Sequence, residues 1–302
     1  MLTGYNNPKY AESLSEWGTP RELIGCGGWI LERSIPKSAY RDAMGCYPLF
    51  FCQDWSRLQN DLDDLGDELV SLVLVTDPFG NFDETYLQSC FKDVFVPFKD
   101  HYVINLKLPL NEIGGKHHRK HGRRALRKVQ VEVCQDPSQF VDTWMNLYDH
   151  LIKRHQIKGI RAFSRIAFSH QFNIPGTIIL QAIYEDQIVG AQVYFSHNEF
   201  VYCHLGTSSE LGYKVGAIYA LDAYSIEFFK DKASWIDLGG GVGVSNNVLD
   251  GLSQYKKGWT NETRKTFLCG KILNQQKYSE IIEREKITPS DYFPVYRNGE
   301  YD

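Results

Sequence analysis

The stretch from Thr177 to Gly206 constrains the fold most. Three runs rich in β-branched and aromatic residues are joined by short polar turns, Glu185-Asp186-Gln187 and Ser196-His197-Asn198-Glu199. That pattern predicts an antiparallel meander. A helix from about Lys214 to Lys230 should follow, apolar on most sides and therefore buried. Trp235 to Leu238 then reads as a strand running into Gly239-Gly240-Gly241. Upstream, strand and helix alternate. Trp29 to Leu31 and Leu69 to Val75 are β-rich. Asp54 can cap a helix carrying Trp55, Leu58, Leu62 and Leu65. A second helix is expected over about Asp83 to Phe95, then a strand over His101 to Leu108. Val129 to Cys134 reads as a short strand. Asp136-Pro137 opens another helix, and Phe163 to Phe172 one more. Glu262 to Leu273 reads as a strand, followed by a polar, mixed tail from Lys277. Alternation of this kind argues an α/β layer architecture.

Composition narrows the function classes. The chain has 302 residues, 33 Lys+Arg against 37 Asp+Glu, a formal net charge of −4 and 43% apolar residues. Those values exclude wholesale disorder. They also argue against a general nucleic-acid coat, while leaving room for a local basic groove. The N-terminus lacks the basic start and apolar core of a secretory signal. Leu69 to Val75, the densest apolar run, falls far short of the roughly 20 residues that a spanning helix needs, so no membrane span is expected. Seven cysteines, widely spaced and without a C-x-x-C pair, fit a reducing cytoplasm.

The chemistry concentrates in two places. Asp237-Leu238-Gly239-Gly240-Gly241 is followed by Gly251-Leu252-x-x-Tyr255-Lys256-x-Gly258-Trp259. Glycines at a strand end let backbone approach a ligand closely. A lysine beside an aromatic can hold phosphate or a developing oxyanion as a point charge, or it can be an ordinary solvated surface residue. The second place is residues 116–128, which carry seven Lys/Arg. They suit phosphate binding or simply form a solvated helix face. Arg123 and Arg127, four apart, share a helix face and are the favoured phosphate ligands. His117, His118 and His121 lack a carboxylate or thiolate companion nearby, so no metal is expected. Tyr202 and His204 alternate on one strand face. His204 could serve as a general base or as a hydrogen-bonded sheet histidine. Gly239, Gly241 and Gly243 do not make a dinucleotide fingerprint.

From about Arg119 to Trp259 the chain resembles the BioF2-like and FemAB-like branch of the GNAT superfamily of N-acyltransferases. The matching pieces come in family order: Arg123-Arg124-Ala125-Leu126-Arg127-Lys128, then Asp186-Gln187-Ile188-Val189-Gly190-Ala191 in the meander, then Leu205-Gly206-Thr207, the buried helix, Asp-Leu-Gly-Gly-Gly and aromatic-Lys-x-Gly-aromatic. The resemblance implies a GNAT-like fold in two tandem halves, a degenerate one at residues 1–113 and a site-bearing one at 114–302. It implies acyl transfer to an amine on a small molecule or peptide. The donor would be acetyl-CoA or another acyl-CoA, or an aminoacyl-tRNA in the FemAB-like manner. It also places Lys256 at the active site, with Tyr255 before it and Tyr202, Asp237, Gly239 and Gly241 around it. In GNAT enzymes the CoA pyrophosphate meets a glycine loop at a helix N-terminus. The corresponding segment is Tyr213-Lys214-Val215-Gly216-Ala217, which has one glycine and no leading Gln or Arg. A non-catalytic protein that kept the fold and binds RNA or phosphate through residues 116–128 is the competing reading.

Overall fold

The computed structural model describes residues 2–243, 250–260 and 262–300. In chain order the elements are α1 (Pro8–Glu12), β1 (Thr19–Leu23), β2 (Gly28–Ser34), β3 (Arg41–Gly45), α2 (Leu58–Asp64), β4 (Ser71–Val75), α3 (Glu84–Cys90), β5 (Val94–Asn105), α4 (Lys116–Leu126), β6 (Gln130–Val133) and α5 (Val141–His155). They continue as α6 (Arg165–Gln171), β7 (Thr177–Tyr184), β8 (Gln187–His197), β9 (Phe200–Ser208), α7 (Glu210–Val215), α8 (Ala217–Phe229), β10 (Trp235–Asp237), α9 (Gly251–Lys257), β11 (Thr263–Ile272) and α10 (Gln275–Glu285). The chain forms two units. One comprises residues 1–4, 99–157 and 162–265, the other residues 5–98, 158–161 and 266–302. This partition differs from a single boundary at 113/114, because β5 and β11 each begin in one unit and end in the other.

Both units are built on the same strand plan. In the larger one, β6, β7, β8 and β9 form an antiparallel meander, β9 pairs in parallel with β10, and β10 pairs antiparallel with β5. In the other, β1, β2 and β3 are antiparallel, β3 pairs in parallel with β4, and β4 pairs antiparallel with β11. An antiparallel meander followed by a parallel pair is what two GNAT-like halves require.

The meander forms as its residues dictate. Glu185 and Asp186 both take positive φ, 48° and 60°, the backbone of a two-residue hairpin whose twist matches its strands. One face of this sheet packs Leu180, Ala182, Val189, Tyr194, Val201 and Ile236 against α4 and α8. On α5 and α6, Trp144, Tyr148, Phe168 and Phe172 form an aromatic cluster, and the Thr207 hydroxyl donates to the Leu147 carbonyl at 2.8 Å. The other unit's core holds Ile30, Phe50, Leu62, Leu72, Phe91 and Phe267.

Several expected boundaries move. The helix expected over 83–95 stops at Cys90, and Val94 opens β5. Val94, Phe95 and Val96 favour a strand, and Pro97 cannot sit inside a helix. The strand expected over 101–108 is the second half of β5 and ends at Asn105. The helix expected over 214–230 is two helices, because Gly216 takes φ +82° between them, a conformation open to glycine. The polar tail contains α10, capped by Asn274 and anchored by Tyr278 and Ile281.

Candidate active site

The site is built on the point where two parallel strands part. The β9–β10 pairing ends at Tyr202↔Asp237, whereas β9 runs on to Ser208 and the other chain turns away at Gly239, φ +79°. Asp237 is 3% exposed. Its Oδ1 accepts from the Gly239 N–H at 2.7 Å and its Oδ2 from His101 Nδ1 at 2.8 Å. Lys99 Nζ donates to the Gly241 carbonyl at 2.6 Å, and Lys256 Nζ to the Gly240 carbonyl at 2.7 Å. The triple glycine is therefore held by two lysines and a carboxylate.

The glycines are required by close approach. A Cβ at Gly239 would lie 3.2 Å from Lys256 Nζ, and one at Gly241 would lie 2.2 Å from Ser253 Oγ. Gly258 has the tightest fit, since its Cβ would fall 1.9 Å from His118 Cε1. The aromatic-Lys-x-Gly-aromatic motif thus resolves into separate jobs. Lys256 reaches the Gly240 turn, Gly258 lies flat under the His118 ring, and Trp259 is buried in the core with 2% exposure.

Lys256 sits in α9. Asp250 starts this helix by accepting from Leu252 N at 2.9 Å and Ser253 N at 3.0 Å. The helix carries Lys256, half-buried, to the glycine turn while Lys257 stays exposed. Replacing such a cap by alanine costs about 0.5–2 kcal/mol. Asp250→Ala should therefore lower the denaturation midpoint and reduce turnover along with it, whereas Asp250→Asn should hold both close to the parent. Unfolding curves and initial rates on the same preparations check this.

Burial pushes the Lys256 ammonium below the ordinary lysine range, against the pull of Asp237, Asp222 and Asp250. A chain of buried polar groups lies alongside. Tyr255 donates its hydroxyl to Asp222 Oδ2 at 2.5 Å, Gln192 Nε2 donates to Asp222 Oδ1 at 2.6 Å, and Tyr194 donates to Gln192 Oε1 at 2.7 Å. Asp222 is 4% exposed, and burial raises its pKa against those two hydrogen bonds. The Cys203 thiol is pushed up to about 12 by burial and by Asp222.

The structure brings together Tyr202, Asp237, Gly239, Gly241, Tyr255 and Lys256 and leaves the other candidates outside this cluster. His204 needs correction. Val193 pairs with Leu205 and Tyr194 with Cys203, so His204 is the extra residue of a bulge that resets the strand alternation. Its ring lies against Phe163 and Phe195 and its Nε2 faces Gln171 Oε1 at 3.2 Å. Burial drives its pKa down to about 3, which leaves a structural histidine and a poor base.

The Tyr213–Ala217 segment also differs from expectation. The Gly216 N–H is taken up by the Gly212 and Tyr213 carbonyls, closing α7. Tyr213 and Lys214 are exposed, Val215 is half-buried and Ala217 is fully buried. The Arg154 guanidinium stacks over the Tyr213 ring at 4.3 Å. Arg123 lies in α4 and Arg127 caps its C-terminus, both exposed. Among the described residues, none of the exposed cations Lys116, Lys120, Arg123, Arg124, Arg127 and Lys128 has a carboxylate within 4.0 Å. No group of three or more metal-ligating side chains occurs among the described residues, and no helix among them is long and apolar enough to cross a membrane.

Sequence reasoning passed over Asp222, Gln192, Lys99 and His101. Asp222 did carry a signal, a lone carboxylate near the middle of the apolar helix AIYALDAYSIEFF. A separate cavity of about 540 Å³ lies beside the α4 N-terminus, lined by Ile113, Gly114, Gly115, His118 and Lys257. Lys256 does not line it. The end of the β9–β10 pairing is the better candidate, because Asp237 and Lys256 both meet the glycine turn there.

No family model matches the chain, and no curated protein matches it in sequence. Solved structures do match. FemX superposes with a TM-score of 0.66 at 14% identity, over 91% of this chain and 93% of that one. The C-terminal domain of a lysylphosphatidylglycerol synthetase candidate from Agrobacterium fabrum gives 0.61 at 12% identity, over 94% and 92%. L-PGS from Bacillus licheniformis gives 0.57 at 15%, over 96% and 100%. The fold is thus GNAT-like, two tandem halves of the FemX type.

Proposed function

We propose that the chain is an acyltransferase that moves an acyl group from an activated ester or thioester to an amine, with Lys256 as the cation facing the reacting carbonyl. The observation that carries this is the half-buried Lys256 ammonium, anchored by one of its three N–H groups to the Gly240 carbonyl. Among the described residues its other two N–H groups have no hydrogen-bond partner. Amine attack on a carbonyl places negative charge on its oxygen, and a preorganised donor of low mobility lowers that barrier most where water is excluded. Tyr255, fixed by Asp222, flanks the lysine and limits the space beside it.

For the donor, an aminoacyl ester of tRNA is favoured over acyl-CoA. The Gly216 N–H, which a CoA pyrophosphate loop would offer, is spent on closing α7. Residues 116–128, α4 and the two residues after it, offer six exposed cations without acidic partners among the described residues, in a chain of net charge −4. The FemAB-like resemblance, to which the FemX likeness adds, implies the same donor. The acceptor is an amine on a small molecule or peptide.

Binding of a charged tRNA should weaken steeply with salt. Each phosphate contact contributes about 0.7–0.9 to the slope of log K against log salt. Arg123→Ala combined with Arg127→Ala should therefore reduce that slope by about 1.4–1.8. Titrations at several salt concentrations check this, and an unchanged slope removes these two arginines from the donor site. Micromolar binding of acyl-CoA with none of charged tRNA would restore the acyl-CoA donor.

A further inference from the structure

The acceptor amine must lose a proton as it attacks, and the expected base, His204, is buried behind Phe163 and Phe195. We propose that His101, held by Asp237, is the general base. The proposal rests on the acyl-transfer reading above. Lys99 and His101 alternate along β5 and both meet the glycine turn. Asp237 has both carboxylate oxygens engaged, one by the Gly239 N–H and the other by His101 Nδ1 at 2.8 Å. A carboxylate can only accept, so Nδ1 carries the proton, and in the neutral ring the lone pair lies on Nε2.

That nitrogen makes no hydrogen bond to a described residue and is not sealed from solvent. The imidazole and the Lys256 ammonium flank one residue. His101 Cδ2, bonded to Nε2, lies 3.5 Å from where Gly240 would carry a Cβ, and Lys256 Nζ donates to the Gly240 carbonyl at 2.7 Å. A base and an oxyanion donor on the two sides of one turn are what aminolysis needs. His118, also close to α9, has no carboxylate within hydrogen-bonding distance among the described residues, and its ring covers Gly258.

In the proposed step the amine nitrogen bonds to the carbonyl carbon, and the carbonyl π pair moves to oxygen beside Lys256. His101 Nε2 takes one proton from the attacking nitrogen. As the C=O re-forms, the bond from carbon to the ester oxygen breaks with its electron pair on that oxygen, which takes the proton back from His101. The products are an amide and an alcohol, or a thiol from a thioester, and His101 ends neutral. Asp237 keeps its hydrogen bond to Nδ1 throughout, steadying the transient imidazolium.

The test has two arms. Protein labelled with ¹⁵N-histidine is examined at pH 8 by a two-bond ¹H–¹⁵N spectrum, with the His101 signals identified by their loss in His101→Gln. The expected result is a neutral ring with protonated Nδ1 and bare Nε2, and a shifted tautomer balance in Asp237→Asn. A ring protonated on Nε2 overturns the proposal. In the second arm, single-turnover transfer is followed from alanyl-tRNA and from acetyl-CoA to a panel of amines. His101→Gln should slow transfer by about 10²–10⁴-fold, and added imidazole should restore part of the rate to His101→Gly. Undiminished transfer by His101→Gln overturns the base and leaves acyl transfer standing. Absence of transfer by the parent protein from both donors, with the tautomer as expected, overturns acyl transfer and the base with it.

Discussion

Lys256→Ala should lower kcat by about 10²–10³, equivalent to about 2.7–4 kcal/mol of lost transition-state stabilisation, while the protein stays folded. Among the described residues the ammonium reaches only the Gly240 carbonyl, and its burial already disfavours the charged form, so removing it releases a desolvation cost along with one hydrogen bond. Lys257→Ala, altering an exposed neighbour, should leave kcat within about threefold. The pH dependence carries a sign. The protonated amine is the active form, and burial lowers its pKa from 10.5, so kcat should fall on the alkaline side before an ordinary lysine would titrate. Lys256→Arg should move that loss upward, because a guanidinium does not deprotonate in this range. The opposite pattern, with Lys257→Ala inactive and Lys256→Ala unimpaired, would move the site to the cavity beside His118.

Asp222→Ala should produce the largest loss of stability among the site variants, about 2–4 kcal/mol. The substitution removes the acceptor for two buried donors at once, Tyr255 Oη and Gln192 Nε2. Each buried group left unsatisfied costs about 1–3 kcal/mol. Tyr194, bonded to the same Gln192, loses its fixed partner as well. Asp222→Asn keeps one carbonyl acceptor and should cost less than half as much. Denaturant midpoints for the two variants give the comparison. Equal, small losses in both would mean that water reaches these groups and that Asp222 does not position Tyr255. Turnover should fall with Asp222→Ala beyond what the unfolded fraction explains, because Tyr255 precedes Lys256 on α9.

The parts of this molecule that were legible in its sequence are those whose determinants are local. The meander could be read because β-rich runs and turn residues lie within a few positions of one another, and Glu185 and Asp186 take the backbone that their turn demands. The glycine triple could be singled out because three glycines end a β-rich run, and Tyr255-Lys256 because it matches the motif of the family that the chain resembles. His204 was misread because a bulge resets strand alternation, and nothing in Cys203-His204-Leu205 marks it. His101 passed unnoticed because its partner, Asp237, lies 136 residues away. The split at Gly216 was hidden by apolar residues that continue on both sides. The tail helix α10 was hidden by its mixed polar face, though Asn274 and the spacing of Tyr278, Ile281 and Ile282 marked it.

The most direct test of the central claim is a structure of the protein with an inert amide analogue of 3′-aminoacyl-adenosine, the end of a charged tRNA. The analogue's carbonyl oxygen is expected within hydrogen-bonding distance of Lys256 Nζ, beside the end of the β9–β10 pairing. An analogue seated instead in the cavity beside His118, with Lys256 still bound only to Gly240, would contradict it.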